Sequence, residues 1–351
     1  MKRKSTDCFG GNTGFFPYIR GGGCSGALLA VLIMLSACDR PVVLDPDDAR
    51  LGVVATTTIV GDIVQRVGGD DIHLRVLMPF GADPHDYIFR PDDMAAASDA
   101  DILFTNGAGL EGHLDRLLSN VAALDRIVSL DENIPVRCFE QVERVRVAAD
   151  DTEHPRTERS HYHHEECDHG YGDVDPHFWT DPNNVMIWAQ TIADALSKAA
   201  PERSDAFQAR TDLLMEELQE LDQWIQQQVS TIPEKKRVLI TDHLSHGYFL
   251  DRYGFEQVGV LLRSFDTMAQ PSAREIARLI DTLGLRNVPA IFVGETVDPS
   301  LARQITRDTG TRLVTLHSGS LTDAEGTAPD YFAYMRYNVN AMVRHLADGN
   351  P

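Results

Sequence analysis

A divalent cation is held best by imidazoles and carboxylates that packing has already fixed in place, and the chain offers such groups at four points. His85 lies in Gly81-Ala82-Asp83-Pro84-His85-Asp86-Tyr87, directly after the apolar run Val76-Leu77-Met78. His177 sits in Asp175-Pro176-His177-Phe178-Trp179, where flanking aromatics can pack and Asp181-Pro182 opens a helix. His243 follows Val238-Leu239-Ile240-Thr241-Asp242, and Asp323 comes just past the last apolar strand, in His317-Ser318-Gly319-Ser320-Leu321-Thr322-Asp323. Taken singly, each of these histidines reads as an ordinary hydrogen-bonded structural residue. A second group, His161, His163, His164 and His169, crowds into the acidic stretch 150–173 without any packing frame. Those side chains suit weak auxiliary metal binding or plain solvation, because ordering such a loop costs conformational entropy. His73, His113, His154, His317 and His345 have no comparable setting and read as structural or exposed.

The framed residues need rigid elements behind them. The first half alternates short apolar runs, at 51–56, 74–78, 102–105 and 126–130, with helical stretches, and the alternation returns with runs at 238–241, 258–262, 290–293 and 312–316. Short apolar strands separated by helices predict an α/β fold of two lobes, each with a parallel β-sheet flanked by helices. Between the lobes, Phe207, Leu214, Leu218, Leu221, Ile225 and Val229 recur at helical spacing within the stretch from Pro201 to Ser230. That predicts one long backbone helix, about 45 Å at about 1.5 Å per residue, a stiff rod that permits little domain movement. In open α/β sheets, ligands bind beyond the carboxyl ends of the strands, where His85, His243 and Asp323 fall. The expected boundaries are 38–200 for the first lobe, with the acidic His-rich loop 150–173 inside it, 201–232 for the linking helix, and 233–351 for the second lobe.

Residues 1–37 stand apart. Lys2, Arg3, Lys4 and Arg20 precede the apolar run from Ala27 to Leu35, which closes in Leu35-Ser36-Ala37-Cys38. This predicts an export signal, and the closing residues resemble the bacterial lipobox, which predicts lipid on Cys38; an ordinary cleavage site beside a chance cysteine is the alternative. The run falls short of the roughly 20 apolar residues of a permanent membrane helix, so the lipid anchor is the only expected membrane contact. A formal charge of −21 argues against nucleic acid, which rewards clustered Lys and Arg. Of the five cysteines, Cys8 and Cys24 leave with the signal. Cys138 and Cys167 remain, either to pair in an oxidising compartment or to stay free, with Cys167 also able to join the loop in binding metal. The His-Glu-x-x-His helix of a zinc hydrolase does not occur.

Four motifs then carry a resemblance, in order and over essentially the whole mature chain. They are the segment from Gly81 to Tyr87, the segment from Asp175 to Pro182, Asp242-His243 with Gly247-Tyr248-Phe249 and Arg252-Tyr253-Gly254, and Met335-Arg336-Tyr337-Asn338-Val339. They resemble those of the zinc and manganese solute-binding proteins of bacterial ABC importers, the ZnuA/TroA-like family. The resemblance implies two α/β lobes on one backbone helix, with the metal site in the interlobe cleft. It implies His85 and His177 as ligands from the first lobe and His243 and Asp323 from the second, with Glu295 or water as the substitute for Asp323. His243 falls where zinc members carry His and manganese members commonly Glu, and His246 intrudes at a position that is usually apolar. Glu111 and Arg90 resemble residues that orient groups behind the ligands, although a surface salt bridge explains either one.

Three imidazoles and one carboxylate suit Zn²⁺ better than Mn²⁺, which favours more oxygen, whereas Cu²⁺ would bind such nitrogens more tightly still. The implied function is therefore a high-affinity zinc-binding receptor and not an enzyme. It captures one tightly bound Zn²⁺ outside the inner membrane, with weak additional ions in the His-rich loop, and delivers it to an ABC permease and its ATPase. A manganese receptor of the same family, a metal-dependent surface adhesin and a zinc hydrolase are the alternatives. The expected setting is the periplasm, as a lipid-anchored monomer, with a periplasmic zinc chaperone as a further candidate partner. The loop bearing Asp323 is the element expected to move when the ion is handed over.

Overall fold

The computed structural model describes residues 50–112, 126–138, 174–264, 267 and 270–347. The export signal with Cys38, and His113, His154, His161, His163, His164, His169 and Cys167, lie outside the described residues. Strands β1 (Leu51–Ala55), β2 (Ile72–Val76), β3 (Ile102–Thr105) and β4 (Ile127–Ser129) form a parallel sheet in the order β2-β1-β3-β4. Strands β5 (Val238–Thr241), β6 (Glu256–Val260), β7 (Ala290–Gly294) and β8 (Arg312–Leu316) form a second parallel sheet in the equivalent order, β6-β5-β7-β8. Every residue of β3, β5 and β7 is buried, which is why these strands read as unbroken apolar runs. In each sheet the strand order reverses beside the first strand, so a crevice opens at the carboxyl ends of β1 and β3 in one lobe and of β5 and β7 in the other.

The helices among the described residues are α1 (Thr58–Gly68), α2 (Pro91–Asp99), α3 (Pro182–Ala199), α4 (Ser204–Ser230), α5 (Gly247–Tyr253), α6 (Ala273–Arg286), α7 (Ser300–Thr309) and α8 (Tyr331–Leu346). Local chemistry sets their starts. Thr57 caps α1 by accepting the Val60 N–H, Asp181 caps α3 by accepting the Asn183 N–H with Pro182 in the first turn, and Asp330 caps α8 by accepting the Ala333 N–H.

Helix α4 is the backbone helix, 27 residues long and about 40 Å at about 1.5 Å per residue. Pro201–Arg203 form a short 3₁₀ turn ahead of it, set off from α3 because the residue before a proline is driven out of the helical region, as Ala200 is. Phe207, Leu214, Leu218, Leu221, Ile225 and Val229 are all buried. They enter a core that runs without a break from β1, α1 and β3 through α3 and α4 to α5, Phe292 and α8. Only the outer layers have separate clusters, around Val54, Leu77 and Leu103 in the first lobe and Val238, Ile240 and Ile291 in the second. Cys138 is disulfide-bonded and pairs with Val174 in an isolated antiparallel bridge. No helix among the described residues is long and apolar enough to cross a membrane.

Candidate metal centre

Each of His85, His177 and His243 is placed by an aspartate just ahead of it. Asp83 Oδ1 accepts the His85 backbone N–H at 3.0 Å, Asp175 Oδ1 accepts that of His177 at 3.1 Å, and Asp242 Oδ1 accepts that of His243 at 2.8 Å. These local bonds fold the chain back on itself at the three points where an imidazole must project. In two cases the same oxygen also takes the ring: Asp175 Oδ1 lies 2.7 Å from His177 Nδ1, and Asp242 Oδ1 lies 3.0 Å from His243 Nδ1. A proton on Nδ1 satisfies both contacts and leaves Nε2 with its lone pair outward, the tautomer that a metal requires.

The segments themselves are anchored in the two crevices. In the first lobe, buried Glu111 accepts from Thr56 Oγ1 at 2.6 Å, Asn106 N at 2.7 Å and Gly107 N at 3.2 Å, which seals the gap between β1 and β3. Asn106 Nδ2 then donates to the Pro176 carbonyl at 2.9 Å and so holds the residue ahead of His177. In the second lobe, Asp242 Oδ2 accepts the Gly294 N–H at 2.8 Å, tying the end of β5 to the end of β7. Glu111 therefore acts from the interior, whereas Arg90 is exposed and stands at the start of α2, where its backbone N–H bonds Asp93.

The three Nε2 atoms converge. His177 Nε2 lies 3.1 Å from His85 Nε2 and 3.3 Å from His243 Nε2, and the ring centroids are 5.1–5.5 Å apart. A tetrahedral zinc site with Zn–N bonds of about 2.0–2.1 Å places its nitrogens about 3.3 Å apart, so the spacing fits an ion at the common point. Among the described residues this is the one group of three or more His, Cys, Asp or Glu side chains able to hold a metal. His177 and His243 are buried and His85 is partly exposed, so the centre opens on the His85 side.

Burial and the neighbouring rings drive His85 and His177 well below 6.5. At His243 burial pulls the same way, but the adjoining Asp242 outweighs it and the net shift is upward. Burial lifts Asp175 to about 6 against the pull of Arg137. Buried His246 stands outside the group; its Nδ1 lies 2.9 Å from Ser245 Oγ, and burial lowers it to about 4.

Asp323 is not brought to this centre. It is exposed, its Oδ1 accepts the Glu325 N–H at 3.2 Å, and its carbonyl accepts the Gly326 N–H at 3.1 Å. It serves as a turn residue in the exposed stretch 323–327 of the loop between β8 and α8. Glu295 faces His317 instead, with Oε2 at 3.3 Å from Nδ1. Gly319 of that loop packs against the turn that carries His85: a Cβ there would lie 2.5 Å from Pro84 Cδ. The sequence reading did not assign Asp83, Asp175 and Asp242 their supporting role, although Asp-Pro-His occurs twice and Asp-His once in the motifs themselves.

Two parallel α/β lobes closing on convergent imidazoles define the class of two-lobed metal-binding receptors. The family model described as "Zinc-uptake complex component A periplasmic" matches residues 53–345, and the chain belongs to that family of metal-binding proteins of ABC importers, which are receptors and not enzymes. It is 28% identical over 328 residues to the manganese-binding lipoprotein MntA of Halalkalibacterium halodurans, covering 92% of this chain and 98% of that one. It is 27% identical to the metal ABC transporter substrate-binding lipoprotein SsaB of Streptococcus sanguinis, covering 91% and 97%. The fold is similar to the periplasmic zinc binding protein TroA from Treponema pallidum, with a TM-score of 0.70, 24% identity and coverage of 85% and 100%. It is also similar to a Mn-bound periplasmic metal binding protein from Candidatus Liberibacter asiaticus, with a TM-score of 0.68, 21% identity and coverage of 84% and 98%.

Proposed function

We propose that the protein is a high-affinity zinc receptor in which His85, His177 and His243 hold the ion and solvent completes a tetrahedral shell. The supporting observation is the ligand set itself: three Nε2 atoms separated by 3.1 and 3.3 Å along the His85–His177–His243 path, with no carboxylate in the group. Nitrogen donors at tetrahedral spacing favour Zn²⁺, whereas Mn²⁺ is served by more oxygens and a larger coordination number. In this reading the protein is lipid-anchored through Cys38 outside the inner membrane and acts as a monomer. It passes Zn²⁺ to an ABC permease and its ATPase, and the acidic His-rich stretch 150–173 collects further ions weakly. A zinc chaperone as donor belongs to the same reading. Manganese cargo is the second reading, favoured by the names of relatives such as MntA.

Competition titration of the purified protein separates the two. Zn²⁺ is expected to displace Mn²⁺ at one tight site. His177→Ala is expected to abolish that site, and Asp323→Ala to leave its affinity unchanged. Preference for Mn²⁺ would overturn the zinc assignment, and loss of tight binding in Asp323→Ala would overturn the three-histidine set.

A further inference from the structure

The two buried ligand histidines are backed in different ways. Behind His243, Asp242 has its second oxygen fixed by a backbone amide, that of Gly294 at the end of β7. Behind His177, the second oxygen of Asp175 is held by a side chain: Arg137 Nη1 lies 3.2 Å from Oδ2. The other edge of the same guanidinium donates through Nε to Asp251 Oδ2 at 2.8 Å. Asp251 belongs to α5 in the second lobe and keeps 42% of its side chain exposed, while that of Arg137 is 10% exposed and that of Asp175 fully buried. Four side chains thus lie in line from the surface to the ligand: Asp251, Arg137, Asp175 and His177.

The surroundings hold this line in register. The Asp175 N–H donates to the Arg137 carbonyl at 2.8 Å, and the adjoining Cys138 and Val174 form the isolated bridge. Gly247, the first residue of α5, leaves room for the guanidinium, since a Cβ there would fall on both Arg137 Nη1 and Asp175 Oδ2. A carboxylate that orients a ligand imidazole does so only while its own plane is fixed, and partners at this remove from an ion commonly change affinity by about 10–100-fold when they are lost. Moving the Gly294 amide would require moving a strand. The outer edge of the Arg137 guanidinium, by contrast, is fixed by Asp251, whose partly exposed carboxylate solvent and a docking partner can reach.

Resting on the zinc-receptor reading, we propose that Arg137 is a positioning residue for His177, and that Asp251 is the surface end through which the second lobe adjusts how firmly the ion is held. A cationic group on the permease that engages Asp251 would then loosen His177 first.

The test measures Zn²⁺ affinity by chelator competition, and release rate by stopped flow, for the parent protein, Arg137→Ala, Arg137→Lys, Asp251→Asn and the double variant Arg137→Ala/Asp251→Asn. Arg137→Ala is expected to weaken binding about 10–100-fold, and Arg137→Lys to recover part of the loss. Asp251→Asn is expected to speed release, an effect that disappears in the Arg137→Ala background, because coupled groups are not additive. Long-range ¹H–¹⁵N spectra of His177 should show the Nδ1–H tautomer yielding to a mixture in Arg137→Ala, a change that a general loss of stability would not produce. Parent-like affinity in both single variants, or strictly additive losses, would overturn the proposal. Should Arg137→Ala fail to fold, the release rate of Asp251→Asn, altered on the exposed surface alone, decides the matter. His177→Ala measured alongside keeps the two readings apart: retained tight binding there refutes the metal site itself, whereas its loss beside an unchanged Arg137→Ala refutes only the positioning role of Arg137.

Discussion

At the scale of single residues, the centre is a set of three imidazoles that share one region of space and cannot all be charged. His85 and His177 are driven well below 6.5 by burial and by their neighbours, while Asp242 carries His243 above that value despite burial. The metal-free trio therefore keeps a proton on His243 to a higher pH than on the other two, and an arriving cation has to displace it. Protonated imidazole cannot bind metal, so affinity falls as pH falls through the raised His243 value, by about tenfold per unit. The slope should steepen only at much lower pH, where His85 and His177 take up protons. Chelator competition at stepped pH from about 7.5 to about 5.5 measures this directly, in the range where an unperturbed histidine titrates, and an affinity independent of pH across that window would contradict the assignment. His85, His177 and His243 were legible in the sequence because each follows an apolar run or is flanked by packing aromatics. Asp323, which the resemblance implies as a ligand, stands outside this group, because a place shortly after β8 does not fix where a loop of that length goes and its own turn hydrogen bonds hold it in an exposed stretch.

The elements that carry these residues meet at one close approach, between the loop after β8 and the turn holding His85. Gly319 lies against the ring of Pro84, so that a methyl group added there would stand 2.5 Å from Cδ and 2.9 Å from Cγ. A proline ring cannot swing aside, so Gly319→Ala has to push the Asp83-Pro84-His85 turn away from the second lobe. The expected result is a loss of about 1–3 kcal/mol, the usual cost of overpacking, with Zn²⁺ affinity lowered as His85 retreats from His177. Thermal melts of the apo and zinc-loaded forms test it; an unchanged melting temperature with unchanged affinity would show that the approach is not tight. The strands behind these loops were readable because a parallel strand covered on both faces has to be apolar along its length. Two of them were placed two residues late. The apolar runs continue past the sheet into Leu77-Met78 and Leu261-Leu262, which are buried and bonded to the β1 and β5 crevices without belonging to β2 or β6. His73 and Gln257, polar residues inside β2 and β6, hid the true strand starts.

Across the whole molecule, the question is whether the lobes close on the ion or already stand closed. One core crosses from the first lobe through α3 and α4 into the second, so opening the cleft by a hinge would expose apolar surface that helps hold the fold together. Polar ties add to this on the cleft side. Thr58 Oγ1 accepts the Leu321 N–H at 2.8 Å, Ser320 Oγ accepts the Gly81 N–H at 2.8 Å, and Trp179 Nε1 donates to the Ser318 carbonyl at 3.1 Å. Tyr331 joins from α8, with its hydroxyl donating to the Trp179 carbonyl at 2.7 Å and its N–H donating to Asp62 at 3.0 Å. These bonds place the loop after β8 across both lobes as a clasp, and the stiff α4 offers no flexible crossover about which to turn. Spin labels at Ser98→Cys in α2 and Arg307→Cys in α7, both exposed, report the distance between the lobes by pulsed dipolar spectroscopy. Adding Zn²⁺ is expected to move the distance peak by less than about 2 Å, below the range that marks hinge closure. A larger shift would mean that the shared core yields, and ion release would then follow from lobe opening instead of from changes local to the histidine segments.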